Sequence, residues 1–392
     1  MKRINPVPLL FLALSLVGWY YSQLGPAFVA NEVITRLGRD GIMVLAMIIP
    51  IAAGMGINFA VTVGAMCAQT GLLAAIIYGV RGLPGLMLAA VLALVLAVGL
   101  GWVLGHTLNR VKGREMITTI IIGFLANGLY QFIFLFGYGH WFPALNREIA
   151  LSRGYGVRNM VDLEAYRNVL DRVWTLELGE LRLPLFMLGM VLLACLLLAY
   201  LFKTRLGRSI EAVGMDLEKA ALLGIDANRT RVTAMVLSTV VACLGQLVFL
   251  QNIGMLNVYT AHLNTDIFSA AALLAGGATI KEARVRHAVI GIILFHSLFI
   301  VSPQAGQNLF GNAALGEYFR SFVAYGTIAL ALILNVRHWN AKPGKKEKNN
   351  HKQTFVRKLW YNMGQDIIGR FTLPGWKSTH QQAERGRSNG GG

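Results

Sequence analysis

The sequence predicts an all-α, polytopic membrane protein of about ten transmembrane helices, some short or broken, and three observations carry that expectation. Hydrophobic residues fill 55% of the 392 positions and charged residues only 14%, where an ordinary soluble domain carries about 25% charged. The apolar residues fall in long runs, and a run of about 20 crosses a bilayer. The 43 glycines suit helices packed closely in lipid, where small residues let backbones approach. The net charge of +17 does not point to nucleic acid. Positions 337–392 hold twelve Lys/Arg and three Asp/Glu, so they supply +9 of it, and most of the rest lies in short loops.

The first run, about 7–24, follows Lys2 and Arg3 as the apolar stretch of a signal peptide would. The following GPAFVANE lacks a small-x-small cleavage pattern, because Phe28 would occupy the −3 position, so an uncleaved helix is expected. Further spans are read at about 41–56, 60–79, 84–106, 116–137, 184–203, 230–250, 265–279, 286–302 and 318–336. The second and eighth are short. Gly54 with Gly56, and Gly276 with Gly277, mark these two as broken or re-entrant, a backbone tolerated in a membrane where protein buries it. No carboxylate falls inside the ten spans away from their ends. The cysteines, Cys67, Cys195 and Cys243, lie in apolar segments without metal-ligand spacing and read as small hydrophobes.

Lys and Arg in short loops set orientation. With the N-terminus inside, the cytoplasmic loops carry Arg110, Lys112 and Arg114, then Lys203 to Arg231, then Lys281, Arg284 and Arg286, and finally the basic tail. The opposite loops are poorer, with Arg36 and Arg39 in the first and Arg81 in the second. Ten spans and cytoplasmic termini are mutually consistent. The long external insertion, 138–183, holds six Arg and six acidic residues, and DLEAYRNVLDRVW within it is expected to form a short amphipathic helix. The tail, 337–392, is expected to be disordered or to lie on anionic membrane lipid, with FVRKLWYNMGQDIIGRF as an interfacial helix.

Polar residues inside spans are expensive in lipid. Asn58, Thr62, Gln69, Asn127, Gln131 and Gln246 are of this kind, and all are neutral. They read either as helix–helix hydrogen bonding or as the lining of a path for an uncharged, hydroxyl-rich solute. Asp266 is expected to cap the eighth helix, and His296 to be a lone packed histidine with a local hydrogen bond.

The cytoplasmic loop 204–229 contains GRSIEAVGMDLEKAALLGI, residues 207–225. Asp216 can cap a helix whose first turn carries Glu218, and Gly224 can end it. Leu217, Ala220, Ala221 and Gly224 share one face. Such a helix is too short to be stable alone in water, so it needs a support.

Gly207-Arg208, Ala212-Val213-Gly214, Ala220-Ala221 and Gly224-Ile225 match G-R-x-x-x-A-V-G-x-[ND]-x-x-x-A-A-x-x-G-I. The stretch resembles the cytoplasmic coupling segment of ABC importer permeases of the ribose/galactose and nucleoside type, related to branched-chain amino-acid permeases. KGREMITTIIIGFLANGLYQF (112–132) and LLAGGATI (273–280) with Gly291 resemble further family segments, and the likeness covers about 41–336. It implies a transmembrane permease domain over 1–336 whose coupling helix docks on a separate ATPase, with Gly207, Arg208, Asp216, Glu218, Ala220, Ala221 and Gly224 as the coupling residues. It also implies a second permease, identical or different, an external substrate-binding protein, and residence in a bacterial inner membrane. The chain has no G-x-x-x-x-G-K-[ST] phosphate loop. ATP and Mg therefore belong to the partner, and no cofactor, metal or enzymatic activity is expected of this chain. The expected cargo is a small uncharged solute, a monosaccharide or nucleoside. A riboflavin-like or branched-chain amino-acid substrate is the alternative within the family, and a secondary transporter or channel the alternative outside it.

Overall fold

The computed structural model describes residues 6–141, 143, 145–146, 148–151 and 154–340. The chain divides into two compact units, Met1–Leu332 and Ile333–Gly392, and the second is described only through the end of its leading helix. Of the tail, 337–340 end that helix, and the rest of the tail reading, with its interfacial helix, lies outside the described residues.

The first half contains α1 (Pro6–Ser22), α2 (Pro26–Ala46), α3 (Ile48–Ala52), α4 (Val61–Ile77), α5 (Gly82–Arg110) and α6 (Glu115–Phe132), the last extended by a π turn to Gly137. Two short antiparallel ribbons follow in part from the long insertion: β1 (Met160–Asp162) pairs with β4 (Met255–Asn257), and β2 (Thr175–Leu178) with β3 (Leu181–Pro184). The second half adds α7 (Leu185–Lys203), α8 (Arg205–Met215), α9 (Leu217–Leu222), α10 (Ala227–Ile253), α11 (Thr265–Ala275), α12 (Val285–Phe310) and α13 (Ala313–Asn340). The fold is the predicted all-α membrane architecture. Among the described residues, α5, α6 with its π turn, α7, α10 and α12 are each long and apolar enough to cross a bilayer.

The central helix is α10, which packs on α5, α4 and α2. Small residues make this possible. A Cβ on Gly64 of α4 would stand 2.6 Å from the Thr239 carbonyl oxygen, and one on Gly105 of α5 would stand 2.7 Å from the Val232 Cα. Backbones at such range gain dispersion contacts all along the crossing, which drives helix association where lipid supplies no hydrophobic drive. The outer faces of α5, α6 and α7 expose Val91, Val95, Phe124, Leu125, Leu192 and Leu196, as surfaces solvated by acyl chains would.

Both spans read as broken are broken. The α2–α3 rod ends at Ala52 and enters a coil in which Gly54 and Gly56 have φ of +74° and +75°. After α11 the chain turns at Gly276–Gly277, and Gly276 meets α12 so closely that a Cβ there would lie 1.8 Å from the His287 carbonyl oxygen.

Three expectations need correction. The second span begins at Pro26, so Arg36 and Arg39 belong to a helix and not to a loop. The charges hid this start, because an apolar window stops at them, while the helix keeps them by pairing Arg36 with Glu32 and Arg39 with Asp40. Asp40 is consequently a carboxylate inside a span, where the spans as read hold none away from their ends; Glu115 is also buried, at the first position of α6. Residues 163–174 form two 3-10 turns, Glu164–Tyr166 and Asp171–Val173, in place of an amphipathic helix. There the backbone is tied to the end of α10 by Asn168 N–H donating to the Gln251 carbonyl at 2.8 Å and Leu170 N–H to Gln251 Oε1 at 3.2 Å. Finally, Asp266 sits in the first turn of α11, and the position before that helix is Asn264, with φ +63°.

Candidate functional site: a polar core and a surface segment

The segment between α7 and α10 is built from its caps outward. Thr204 Oγ1 accepts the Gly207 N–H at 3.2 Å and opens α8. Asp216 ends α8 and opens α9, its Oδ1 accepting the Glu218 and Lys219 N–H groups at 3.0 and 3.1 Å. The hydrogen bond from the Lys219 N–H is the main reason the Asp216 carboxyl is held below its ordinary value. Gly224, at φ +77°, turns the chain out of α9 with open space where a Cβ would stand. Cap and stop both match the sequence reading, but the helix of Arg205–Met215 was not foreseen.

The face is also divided differently. Ala220 is buried, whereas Ala221 and Gly224 are exposed, and Arg208 and Glu218 are exposed with them. Met215, Leu222 and Leu223 are 83%, 87% and 76% exposed, an apolar surface at the tip of the segment. Its inner side rests on the broken span. A Cβ on Gly214 would stand 1.9 Å from the Ala52 carbonyl oxygen, and one on Gly54 would stand 2.8 Å from the Gly214 Cα. Nearby, Arg231 of α10 is fully buried and donates to Glu115 Oε1 at 2.6 Å, while Glu115 Oε2 accepts the Gly113 N–H at 2.8 Å. This pair ties α10 to the start of α6.

The six neutral polar residues separate into two groups. Asn58 and Thr62 serve the start of α4: Asn58 Oδ1 accepts the Ala60 N–H at 3.0 Å, and Thr62 donates to the Phe59 carbonyl at 3.4 Å. Gln69 lies seven residues further, about 10 Å along the helix axis, and joins Asn127, Gln131 and Gln246 beneath the loop between α10 and α11.

The hub of this second group is His262, fully buried, which sequence reading missed because it stands in a loop and not in an apolar run. Its Nε2 is 2.7 Å from Asn127 Oδ1 and its Nδ1 is 3.1 Å from Gln69 Oε1. A neutral imidazole donates through one nitrogen only. The network closes when Nε2–H donates to Asn127 and the Gln69 amide is turned to donate to Nδ1, which also gives a partner to Gln69 Nε2, otherwise unpaired among the described residues. Gln131 Nε2 donates to Asn127 Oδ1 at 3.1 Å and to the Tyr259 carbonyl at 3.4 Å, and Gln246 Nε2 donates to the Ala261 carbonyl at 3.3 Å. The insertion clamps the same loop from outside, through β1–β4 and the Tyr259 hydroxyl donating to the Val157 carbonyl at 2.7 Å. His296, read as lone, faces a carboxylate: its Nε2 is 3.2 Å from Asp40 Oδ2.

Residues 30–332 match the family described as branched-chain amino acid transport system / permease component. The chain belongs to this permease family. Curated relatives of the permease are distant. It is 26% identical over 243 residues to the fructose import permease FruG of Bifidobacterium longum, covering 61% of this chain and 64% of that relative. It is 24% identical over 321 residues to the ribose import permease RbsC of Escherichia coli, covering 80% and 88% of the two chains. The fructose import permease FrcC of Rhizobium meliloti is 24% identical over 311 residues, 78% and 79% of the two. No solved structure matches the permease significantly.

Proposed function

We propose that this chain is the membrane subunit of a bacterial ABC importer that moves a monosaccharide-sized, hydroxylated solute across the inner membrane, powered by an ATPase on a separate chain. The observation that carries this reading is the segment of α8 and α9. It presents an apolar tip, Met215, Leu222 and Leu223, on one side and rests its glycine backbone against the broken α2–α3 rod on the other. A push on the tip has no soft side chain at the Gly214–Ala52 contact to absorb it. Closure of the ATPase would move the segment, and the segment would move the rod. Family membership supports the permease role, and relatives named for ribose and fructose import support the sugar class.

In this reading the termini and the 204–229 segment face the cytoplasm, and the loop clamped by His262 faces outward. An external binding protein would deliver solute over the insertion, and a second permease would complete the pore. A ligand-driven switch needs contacts that differ between two states, and the side-chain network around His262 is where such contacts can be exchanged. The test is uptake of labelled pentoses and hexoses by cells carrying the native chain or Gly224→Arg. Uptake that needs ATP and is lost in the variant is the expected result. Uptake that survives both ATP depletion and the substitution would refute the reading.

A further inference from the structure

Between α2, α10, α11, α12 and α13 lies a cavity of about 270 Å³. Its size suits a small solute, since pockets for drug-sized ligands begin at about 300 Å³. Its wall is unusual for a membrane span: Arg36, Arg39 and Asp40 of α2, His296 of α12 and Arg320 of α13 all line it. Arg36 and Asp40 stand roughly 15 and 20 Å along α2 from its start, at 1.5 Å per residue. Ionisable groups at such a place mark a solute or ion pathway by default.

The pairing within the wall decides what the cavity can take. Asp40 is fully engaged, receiving Arg39 through two bonds of 3.0 Å and facing His296. Arg36 and Arg320 are left with carboxylates of their own helices, Glu32 and Glu317, whose side chains are 41% and 46% exposed. Glu32 stands 3.6 Å from Arg36 Nε, beyond a hydrogen bond. The Nε atoms of both arginines are buried without an acceptor among the described residues, as is Nδ1 of His296. A neutral solute would leave these donors desolvated and unmatched, which is costly. A carboxylate matches a guanidinium in plane and charge. Phe249, Phe268 and Phe299 supply flat apolar walls, and Gln246 and Ser269 supply polar groups for hydroxyls.

We propose that this cavity is a solute-binding station that takes a monosaccharide carrying a carboxylate, a sugar acid, with Arg36 and Arg320 holding the acid group and the phenylalanines packing against the ring. The proposal rests on the solute-permease reading above and narrows its cargo from the uncharged solute first expected.

The test is equilibrium binding of labelled glucuronate, galacturonate and gluconate to the full chain in lipid nanodiscs, with glucose and glucose 6-phosphate as competitors. At least one acid is expected to bind, with glucose weaker by about tenfold or more, the worth of one charge-assisted hydrogen bond. Arg36→Gln and Arg320→Gln should each lose affinity by a similar factor, and Arg36→Lys should keep part of it. Size-exclusion profiles of the three variants separate lost binding from lost fold, and the Lys variant carries the test if a Gln variant misfolds. Equal binding of glucose and all three acids, or native affinity in both Gln variants, overturns the proposal. Tighter binding of glucose 6-phosphate than of every acid overturns the carboxylate assignment. An ATPase isolated with the chain while the acids fail to bind leaves the importer reading standing and removes only this one. Acid binding without any ATPase does the reverse.

Discussion

The two ends of the helix bundle are held by different means. At the end carrying α8 and α9, backbone meets backbone, with Gly214 against Ala52 and Gly54 and no side chain between them. A buried ion pair, Arg231–Glu115, braces it. At the end closed by the insertion, a loop is suspended on side-chain hydrogen bonds that converge on His262. Close-packed backbone transmits a displacement because it has no alternative arrangement to fall into. Amide and imidazole groups can exchange partners at small cost. A transporter needs both, a stiff end to receive a push and an adaptable end to respond.

Glu115→Ala should show the largest effect on stability. It strands a buried guanidinium, which costs about 3–5 kcal/mol in comparable sites, read as a lowered thermal midpoint of the purified chain. His262→Ala should cost less, about 1–3 kcal/mol for the amides it leaves unpaired. If the histidine variant proves the less stable of the two, the contrast between the ends is wrong. Gly214→Ala sharpens the same contrast. Its methyl must displace α8 from Ala52, at about 1–3 kcal/mol for overpacking, and the account expects transport to fall much further than the thermal midpoint does. Equal, modest losses would mean the contact is only packing.

Acidification should give the smallest effect. The Asp216 carboxyl is held below its ordinary value in the folded chain. Its cap therefore contributes fully above the unfolded value near ~3.9 and is lost as pH falls through the lower folded value. The protection of the Glu218 and Lys219 amides, their exchange rate set against that of an unstructured chain at the same pH, should fall in that acidic window alone.

Much of the stiff end was legible in the sequence and little of the adaptable end. Asp216, Gly224 and the glycines of the broken spans carry local rules: a cap needs an oxygen, and a left-handed turn favours glycine. Each rule acts within a few residues, so the sequence alone displays it. His262, Asp40 and the Arg231–Glu115 pair owe their roles to partners more than a hundred residues away or on other helices. A window that seeks apolar runs discards such charges as loop residues, and the late start assigned to α2 has that cause. Gln69, Asn127 and Gln131 were singled out because neutral amides in lipid need partners. What the sequence does not show is that one histidine joins Gln69 to Asn127, with Gln131 tied to it through Asn127.

The central claim, that the tip of the 205–225 segment receives force from an ATPase, is tested most directly by isolating the tagged chain from native membranes in its native form and as Leu222→Glu/Leu223→Glu. Both leucines point away from their own protein, so the fold should be unaffected. The account predicts that an ATPase subunit accompanies the native chain and is lost from the variant. An ATPase retained by the variant, or absent from the native preparation, would contradict it.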